Sequence, residues 1–239
     1  GKGGQESAED VQPVVMDWLR RNATTREDWF LHVNYWDPHT PFRVPTEFGN
    51  PFADEPLPDW LTDEVLTRHQ QSVGPHSALE ISGMYSDNSS GDFPREVRAV
   101  RDREDLRRQI DGYDVGICYV DTMIGQVMDH LREAGLEDEV VVIISADHGE
   151  NQGELGIYSE HGTADEATCR VPFIASGPGI RTGIDAGLHY NIDMAPTLME
   201  FLEGECPDTW DGKSFAPSLQ GEAQTGREFL VLSQCAHVC

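Results

Sequence analysis

The chain has 239 residues, of which 38% are hydrophobic, and its formal net charge at pH 7 is −26. This length and apolar content suit one large domain, or one domain and part of a second. The negative charge argues against a nucleic-acid-binding protein, which needs basic surface stripes. No stretch approaches the roughly 18 consecutive apolar residues of a membrane-spanning helix, so we expect no membrane partner.

The basic residues are unusual because only two of the 17, Lys2 and Lys213, are lysine. Many carboxylates with almost no lysine are typical of proteins from a salt-rich cytoplasm, where salt screens the repulsion between the carboxylates. We therefore expect a cytoplasmic protein of a salt-adapted microbe, with a GC-rich genome as the alternative source of the arginine bias. The five cysteines include no C-x-x-C pair, so they predict neither a zinc site nor a disulfide framework.

The first half of the chain predicts a helix, a strand and a long irregular segment. Apolar residues share one helical face over residues 11–21. The aromatic and β-branched stretch at 29–36 predicts a strand, which the prolines of the following DPHTPF end because proline cannot donate to a ladder. Residues from about 45 to 95 are rich in Pro, Gly, Asp and Ser. They predict an irregular insertion with one short helix near 61–71.

The second half alternates helices with apolar strands. Apolar residues recur every three or four positions from 106 to 131, which predicts a long amphipathic helix that stops near Gly135. Residues 140–144 are apolar without alternation, as in a strand inside a parallel sheet. Further elements are predicted as strands at 171–176 and 229–233 and as a helix at 193–202 with Asp193 as its N-cap. This order predicts an α/β fold with a mostly parallel central sheet sandwiched by helices.

Polar side chains follow two of the predicted strands. Asp37 and His39 come after the first strand, and Asp147 and His148 come directly after the second. Ligands of open α/β sheets bind at the carboxyl ends of the strands, so we expect both pairs at one edge. Carboxylate and imidazole together suit a divalent cation. The alternative is that Asp147 caps a turn and that His148 is solvated.

Of three further polar loop residues, only His161 is a candidate for a role in the site. His161 stands in a polar loop, where a histidine is either a ligand for an anionic group or an ordinary surface residue. Glu150 and Glu154 are expected to be solvated loop charges, in keeping with the acidity of the whole chain.

Five sequence blocks follow one another in a recognisable order. They are NYWDPHTPF, YVDTMIGQVMDHLREAGLEDEVVVIISADHGE, YSEHGTADEATCRVPFIASGPG, NIDMAPTLMEF and DGKSFAPSL. Together they resemble the sulfatases of the alkaline phosphatase superfamily, over nearly the whole chain. The resemblance implies an alkaline phosphatase-like fold and metal-dependent hydrolysis of a sulfate ester.

The resemblance also implies roles for individual residues. Asp147 and His148 match a pair of metal ligands, for a divalent ion that we expect to be calcium, with manganese or zinc as alternatives. His39 matches the catalytic histidine that hydrogen-bonds the sulfate and assists the leaving group. His161 falls where relatives carry a substrate-binding Lys or His, and we expect it to bind the substrate and to assist catalysis.

Two parts of the family's site do not occur in these 239 residues. The family nucleophile is a formylglycine made from Cys or Ser in a C/S-x-P-x-R motif, and this motif is absent from the sequence. The family's first Asp-Asp pair of metal ligands is also missing. We therefore expect residues 1–239 to be an incomplete sulfatase catalytic domain, which is inactive by itself and whose full-length parent carries the nucleophile in an N-terminal part.

Two other functions remain open. An Asp-His pair of metal ligands also occurs in phosphodiesterases and phosphonate monoester hydrolases of the same superfamily. A catalytically inactive fragment, or a pseudoenzyme that binds anions, is the other alternative. For the sulfatase itself we expect a small sulfated substrate, which is an aryl, alkyl or carbohydrate sulfate.

Overall fold

The computed structural model describes residues 6–81, 93–222, 226–234 and 237–238. The chain divides into two compact units, Gly1–Leu136 with Glu150–Glu160 and Glu137–Gly149 with His161–Cys239. The helices are α1 Ala8–Asn22, α2 Asp63–His69, α3 Arg103–Glu133, α4 Glu166–Cys169, α5 Met194–Phe201 and α6 Ala216–Leu219. The strands are β1 Val142–Ser145, β2 Asn151–Gln152, β3 Tyr158–Glu160, β4 Phe173–Ser176, β5 Ser233–Gln234 and β6 His237–Val238. None of the helices in these described ranges is long and apolar enough to cross a membrane.

The two long helices of the first unit, α1 and α3, pack against each other as their apolar periodicity predicts. The side-chain amide of Gln12 donates to the main-chain carbonyl of Met123 over 2.9 Å. At the start of α1 the buried carboxylate of Asp37 accepts a hydrogen bond of 2.7 Å from the Ala8 amide. α3 ends at the predicted place, because Gly135 adopts a φ of +71° that favours glycine.

The turn at 37–42 lies directly on α3 because the helix has no side chain at two positions. A Cβ atom added at Gly112 would stand 2.6 Å from the ring of Phe42. One added at Gly116 would stand 2.6 Å from Pro38. Both distances are shorter than real carbon contacts, so the two glycines let the loop that carries His39 approach the helix backbone closely.

A second cluster of the first unit joins α2 to the β2–β3 hairpin. The buried residues Leu61, Leu66, Val100, Leu106 and Tyr158 belong to one apolar core. The short helix predicted near 61–71 is confirmed by α2. The described residues of the segment 45–95 otherwise form turns, a 3₁₀ helix at Thr46–Phe48 and a bridge between Ser77 and Glu80, whereas 82–92 lie outside the described residues. The assignment of 45–95 as an insertion stays a prediction.

The second unit is built on the pair β1 and β4, which run antiparallel with Val142 opposite Ser176. Gly177 closes β4 with a φ of +130°, and a Cβ there would lie 2.4 Å from the carbonyl oxygen of Val140. The sequence placed both strands correctly but expected parallel neighbours. An all-apolar strand predicts burial on both faces, and it does not specify the direction of the partner strand.

Three local expectations are wrong. Residues 29–36 have no ladder partner among the described residues, because β-propensity favours an extended backbone and a strand also needs a neighbour. The last predicted strand is paired only at Ser233–Gln234. Asp193 ends a 3₁₀ turn, Asn191–Asp193, and its side chain does not cap α5. Its carboxylate accepts hydrogen bonds from the amides of Tyr190 and Lys213 and from the guanidinium group of Arg227.

Candidate active site

Asp147 and His148 lie in the loop directly after β1, as the sequence predicts. The Nδ1 atom of His148 is 2.8 Å from the carbonyl oxygen of Gly149, which can only accept, so Nδ1 carries a proton. In the neutral ring the lone pair is then on Nε2. This Nε2 is 3.9 Å from a carboxylate oxygen of Asp147, whose side chain is 89% exposed. A carboxylate oxygen and an imidazole nitrogen, which can both bind a metal ion, therefore lie side by side.

The backbone of this loop is held on both sides of the pair. The Gly149 amide donates to the Thr168 carbonyl over 2.8 Å. A Cβ at Gly149 would be 2.0 Å from the carbonyl oxygen of Ala167, so only glycine fits against α4. Asn191 donates its side-chain amide to the main-chain oxygen of Asp147 over 3.0 Å. Sequence reasoning did not identify Asn191, because nothing in its local pattern separates it from a helix-start residue.

His161 joins His148 within the second unit. Their imidazole rings are stacked, with centroids 4.0 Å apart and an interplanar angle of 16°. One ring nitrogen of each lies within 4.8 Å of the other. A metal ion binds the unprotonated nitrogen of a neutral imidazole, so two stacked rings with neighbouring nitrogens suit two ligands of one ion. The structure thus brings together Asp147, His148 and His161.

His39 lies in the first unit, in the turn that packs on α3. Its Nδ1 donates to the carbonyl oxygen of Thr40 over 2.8 Å. The ring of Trp36 stands edge-on at a centroid distance of 5.4 Å, and Arg43 donates to the same Thr40 carbonyl over 3.1 Å. The orientation of the His39 ring is therefore fixed within its own unit. The expectation that His39 shares one cleft with Asp147 stays a prediction, because the two residues belong to different units.

Glu150 corrects the expectation of a solvated loop charge. Its side chain is only 6% exposed. Burial, and secondly the charge of Glu160, raise the pKa of Glu150 to about 8. Glu154 also has a structural contact, because its carboxylate accepts from the Gln152 amide over 2.7 Å. The neighbouring residues in the sequence are polar and gave no sign of this burial, which depends on packing in the first unit.

Residues 2–204 match the family model described as Sulfatase. The chain belongs to the sulfatase family. It is 29% identical over 205 residues to the choline-sulfatase of Rhizobium meliloti (strain 1021), an alignment that covers 84% of this chain and 37% of that protein. It is 30% identical over 175 residues to the iduronate 2-sulfatase of Mus musculus, covering 67% of this chain and 28% of that one.

A solved structure shows the same fold as this sulfatase chain. The phosphonate monoester hydrolase SpPMH from Silicibacter pomeroyi is similar with a TM-score of 0.67 and 26% identity, over 93% of this chain and 44% of that chain. The predicted α/β fold of the alkaline phosphatase-like type is thereby confirmed. The chain spans less than half the length of the relatives that it matches.

Proposed function

We propose that the full-length parent of this chain is a sulfuric ester hydrolase that uses a divalent metal ion. The observation that carries the proposal is the pair of donor atoms after β1. The Asp147 oxygen and the His148 Nε2 are 3.9 Å apart. Both can reach one calcium ion at the usual ligand distance of about 2.3–2.6 Å. The hydrogen bond of Nδ1 to Gly149 leaves Nε2 in the form that binds metals.

The residues present fit a metal site in part. An anionic oxygen and an imidazole nitrogen are donors that calcium, manganese and zinc all accept, and we propose calcium. A divalent ion at this place would stabilise the negative charge that develops on the sulfuryl oxygens. We expect the remaining ligands from the parent, because two protein ligands hold calcium weakly.

The histidines supply the proton chemistry in this proposal. His39 keeps its Nδ1 proton on Thr40, so its Nε2 is the atom that would deliver a proton to the departing alkoxide. His161, in its protonated form, would attract the sulfate group in a chain whose overall charge repels anions. By family resemblance the nucleophile is a formylglycine, and we expect it in a C/S-x-P-x-R motif of the parent.

A phosphonate monoester hydrolase is the second candidate. The phosphonate monoester hydrolase SpPMH matches 93% of the chain, and this activity is compatible with the same Asp147-His148 pair. The named relatives leave the substrate open, since one is called a choline-sulfatase and another an iduronate 2-sulfatase. Aryl, alkyl and carbohydrate sulfates therefore remain candidate substrates.

The test compares a chromogenic aryl sulfate with the corresponding phenylphosphonate ester on the parent, with and without a chelator. A sulfatase gives the higher kcat/KM with the sulfate, and the chelator abolishes turnover. Faster turnover of the phosphonate ester would favour the second candidate. The 239-residue chain alone should turn over neither ester, since losing a nucleophile costs several orders of magnitude. Metal-dependent turnover by this chain would refute the assigned mechanism.

A further inference from the structure

A cavity of about 590 Å³ lies within the first unit, beside α2 and the turn at 153–156. The residues that matter for its chemistry are Trp60, Arg68, His69, Ser72, Gly153 and Leu155. Its volume falls in the usual range for small-molecule sites, about 300–1,000 Å³. None of the described residues that line it has a carboxylate.

One wall of the cavity is aromatic and apolar. The Trp60 side chain is 44% exposed, although it is large and hydrophobic. Gly153, with a φ of +121°, lies against the indole, and a Cβ there would be 3.4 Å from the ring. Leu155 is 75% exposed in a left-handed conformation with a φ of +58°. These residues offer a flat surface on which the C–H face of a ring can stack.

A positive charge at the edge of the cavity comes from Arg68, in the last turn of α2. In the described part of the chain no carboxylate forms an ion pair with Arg68. Other arginines of this unit, such as Arg103 and Arg107, do pair with aspartates. A guanidinium group that borders a cavity without a carboxylate partner is suited to an anionic ligand, to which it can donate two parallel hydrogen bonds.

His69 adds a neutral donor to the same wall. Its Nδ1 is 2.9 Å from the hydroxyl of Tyr158, which is fully buried. A buried hydroxyl needs an acceptor, so the Tyr158 hydroxyl donates to Nδ1 and the ring proton stands on Nε2. Burial, and secondly the charge of Arg68, lower the pKa of His69 and keep the ring neutral. The cavity thus has an aromatic wall at Trp60 and three polar groups, which are the Arg68 guanidinium, the neutral His69 ring and the Ser72 hydroxyl.

We propose that this cavity binds a sugar ring that carries an anionic group, with the ring on Trp60 and the anion at Arg68. The aromatic wall accounts for the sugar ring, the guanidinium for the anion, and His69 and Ser72 for the hydroxyl groups. The choice of sulfate as the anion rests on the proposed sulfatase function. The cavity would then bind sulfated saccharides in preference to simple aryl or alkyl sulfates.

The experiment is isothermal titration calorimetry of the 239-residue chain in the presence of a chelator. The probes are N-acetylglucosamine 6-sulfate, N-acetylglucosamine and inorganic sulfate. Arg68→Gln is compared with Arg20→Gln, since Arg20 is an exposed helix arginine of the same unit. Trp60→Ala is compared with Trp210→Ala, because Trp210 is 43% exposed and so matches Trp60 closely. Circular dichroism checks that each variant is folded.

The sulfated sugar should bind at least about tenfold more tightly than either the neutral sugar or sulfate alone. Arg68→Gln and Trp60→Ala should each weaken this binding by about tenfold, which corresponds to about 1.4 kcal/mol. Arg20→Gln and Trp210→Ala should leave it unchanged. Equal binding of the neutral sugar, or equal effects of Arg68→Gln and Arg20→Gln, would overturn the proposal. So would no binding of any probe.

Asp147→Ala separates this site from the candidate active site. Binding of the sulfated sugar should survive this substitution, and its loss would place the ligand at the active site and overturn the proposal. The assay needs neither metal nor turnover. The two proposals can fail separately. If the sulfated sugar binds in a way that depends on Arg68 but the parent hydrolyses no sulfate ester, the cavity proposal stands and only the sulfatase function is refuted.

Discussion

Removing the carboxylate of Asp193 should destabilise the protein strongly. The side chain is 1% exposed, and it accepts from the Tyr190 amide over 2.8 Å and the Lys213 amide over 2.7 Å. It also accepts from Nε and Nη2 of Arg227, over 3.2 and 2.5 Å. Asp193→Ala would leave two main-chain donors and a largely buried guanidinium group without their acceptor.

The magnitude follows from these contacts. Breaking a buried ion pair by removing one partner costs about 3–5 kcal/mol. Arg227 keeps some contact with water, because its side chain is 19% exposed, so we expect about 3 kcal/mol in the free energy of unfolding. Asp208→Ala, on an exposed residue of the same unit, is the control and should change it by less than about 0.5 kcal/mol. Urea denaturation followed by circular dichroism measures both variants.

The same network predicts a pH dependence. Burial by itself raises the pKa of Asp193, but the hydrogen bonds from Arg227, Lys213 and Tyr190 outweigh it and hold the pKa below its ordinary value of 3.8. The ionised carboxylate is thus favoured by folding. Its contribution is complete above the ordinary pKa and is lost as the pH falls through the lowered pKa. This reasoning would be refuted if Asp193→Ala lowered the free energy of unfolding by less than about 1 kcal/mol. It would also be refuted if the variant lost as much stability in acid as the unsubstituted protein.

Three further predictions concern Glu150, the surface of α3 and the metal ligands. Folding raises the pKa of Glu150 from 4.5 to about 8. In the presence of a chelator, the free energy of unfolding should therefore fall as the pH rises between these two values, by up to about 5 kcal/mol at about 1.4 kcal/mol per pH unit. Glu150→Gln should remove this loss in unfolding titrations at pH 5 and pH 8, and an equal loss in both proteins would contradict the burial. Gly116→Ala should cost about 1–3 kcal/mol through overpacking against Pro38, whereas Gly125→Ala, which meets nothing within 4 Å, should be neutral or stabilising in thermal unfolding. Asp147→Ala should abolish aryl sulfate turnover by the parent and weaken its calcium binding in calorimetry, and near-normal turnover would exclude Asp147 as a ligand.

The sequence alone predicted the elements whose signals are local. The spacing of apolar residues placed α1 and α3 within a few residues of their observed ends, and Gly135 marked the end of α3. The apolar run before Asp147 and His148 predicted β1 and put both side chains directly after it. These predictions succeed because helix periodicity and apolar runs are written in neighbouring residues. The order of the sequence blocks also identified the family.

Only the tertiary structure decided which distant groups meet. The antiparallel pairing of β1 with β4, the stack of His148 on His161 and the burial of Glu150 all depend on contacts between segments far apart in the chain. A β-rich stretch such as 29–36 looks like a strand in the sequence, but a ladder also requires a neighbour that supplies hydrogen bonds. Burial likewise depends on what packs over a residue, so the residues next to Glu150 in the sequence could not reveal that its carboxyl group is buried.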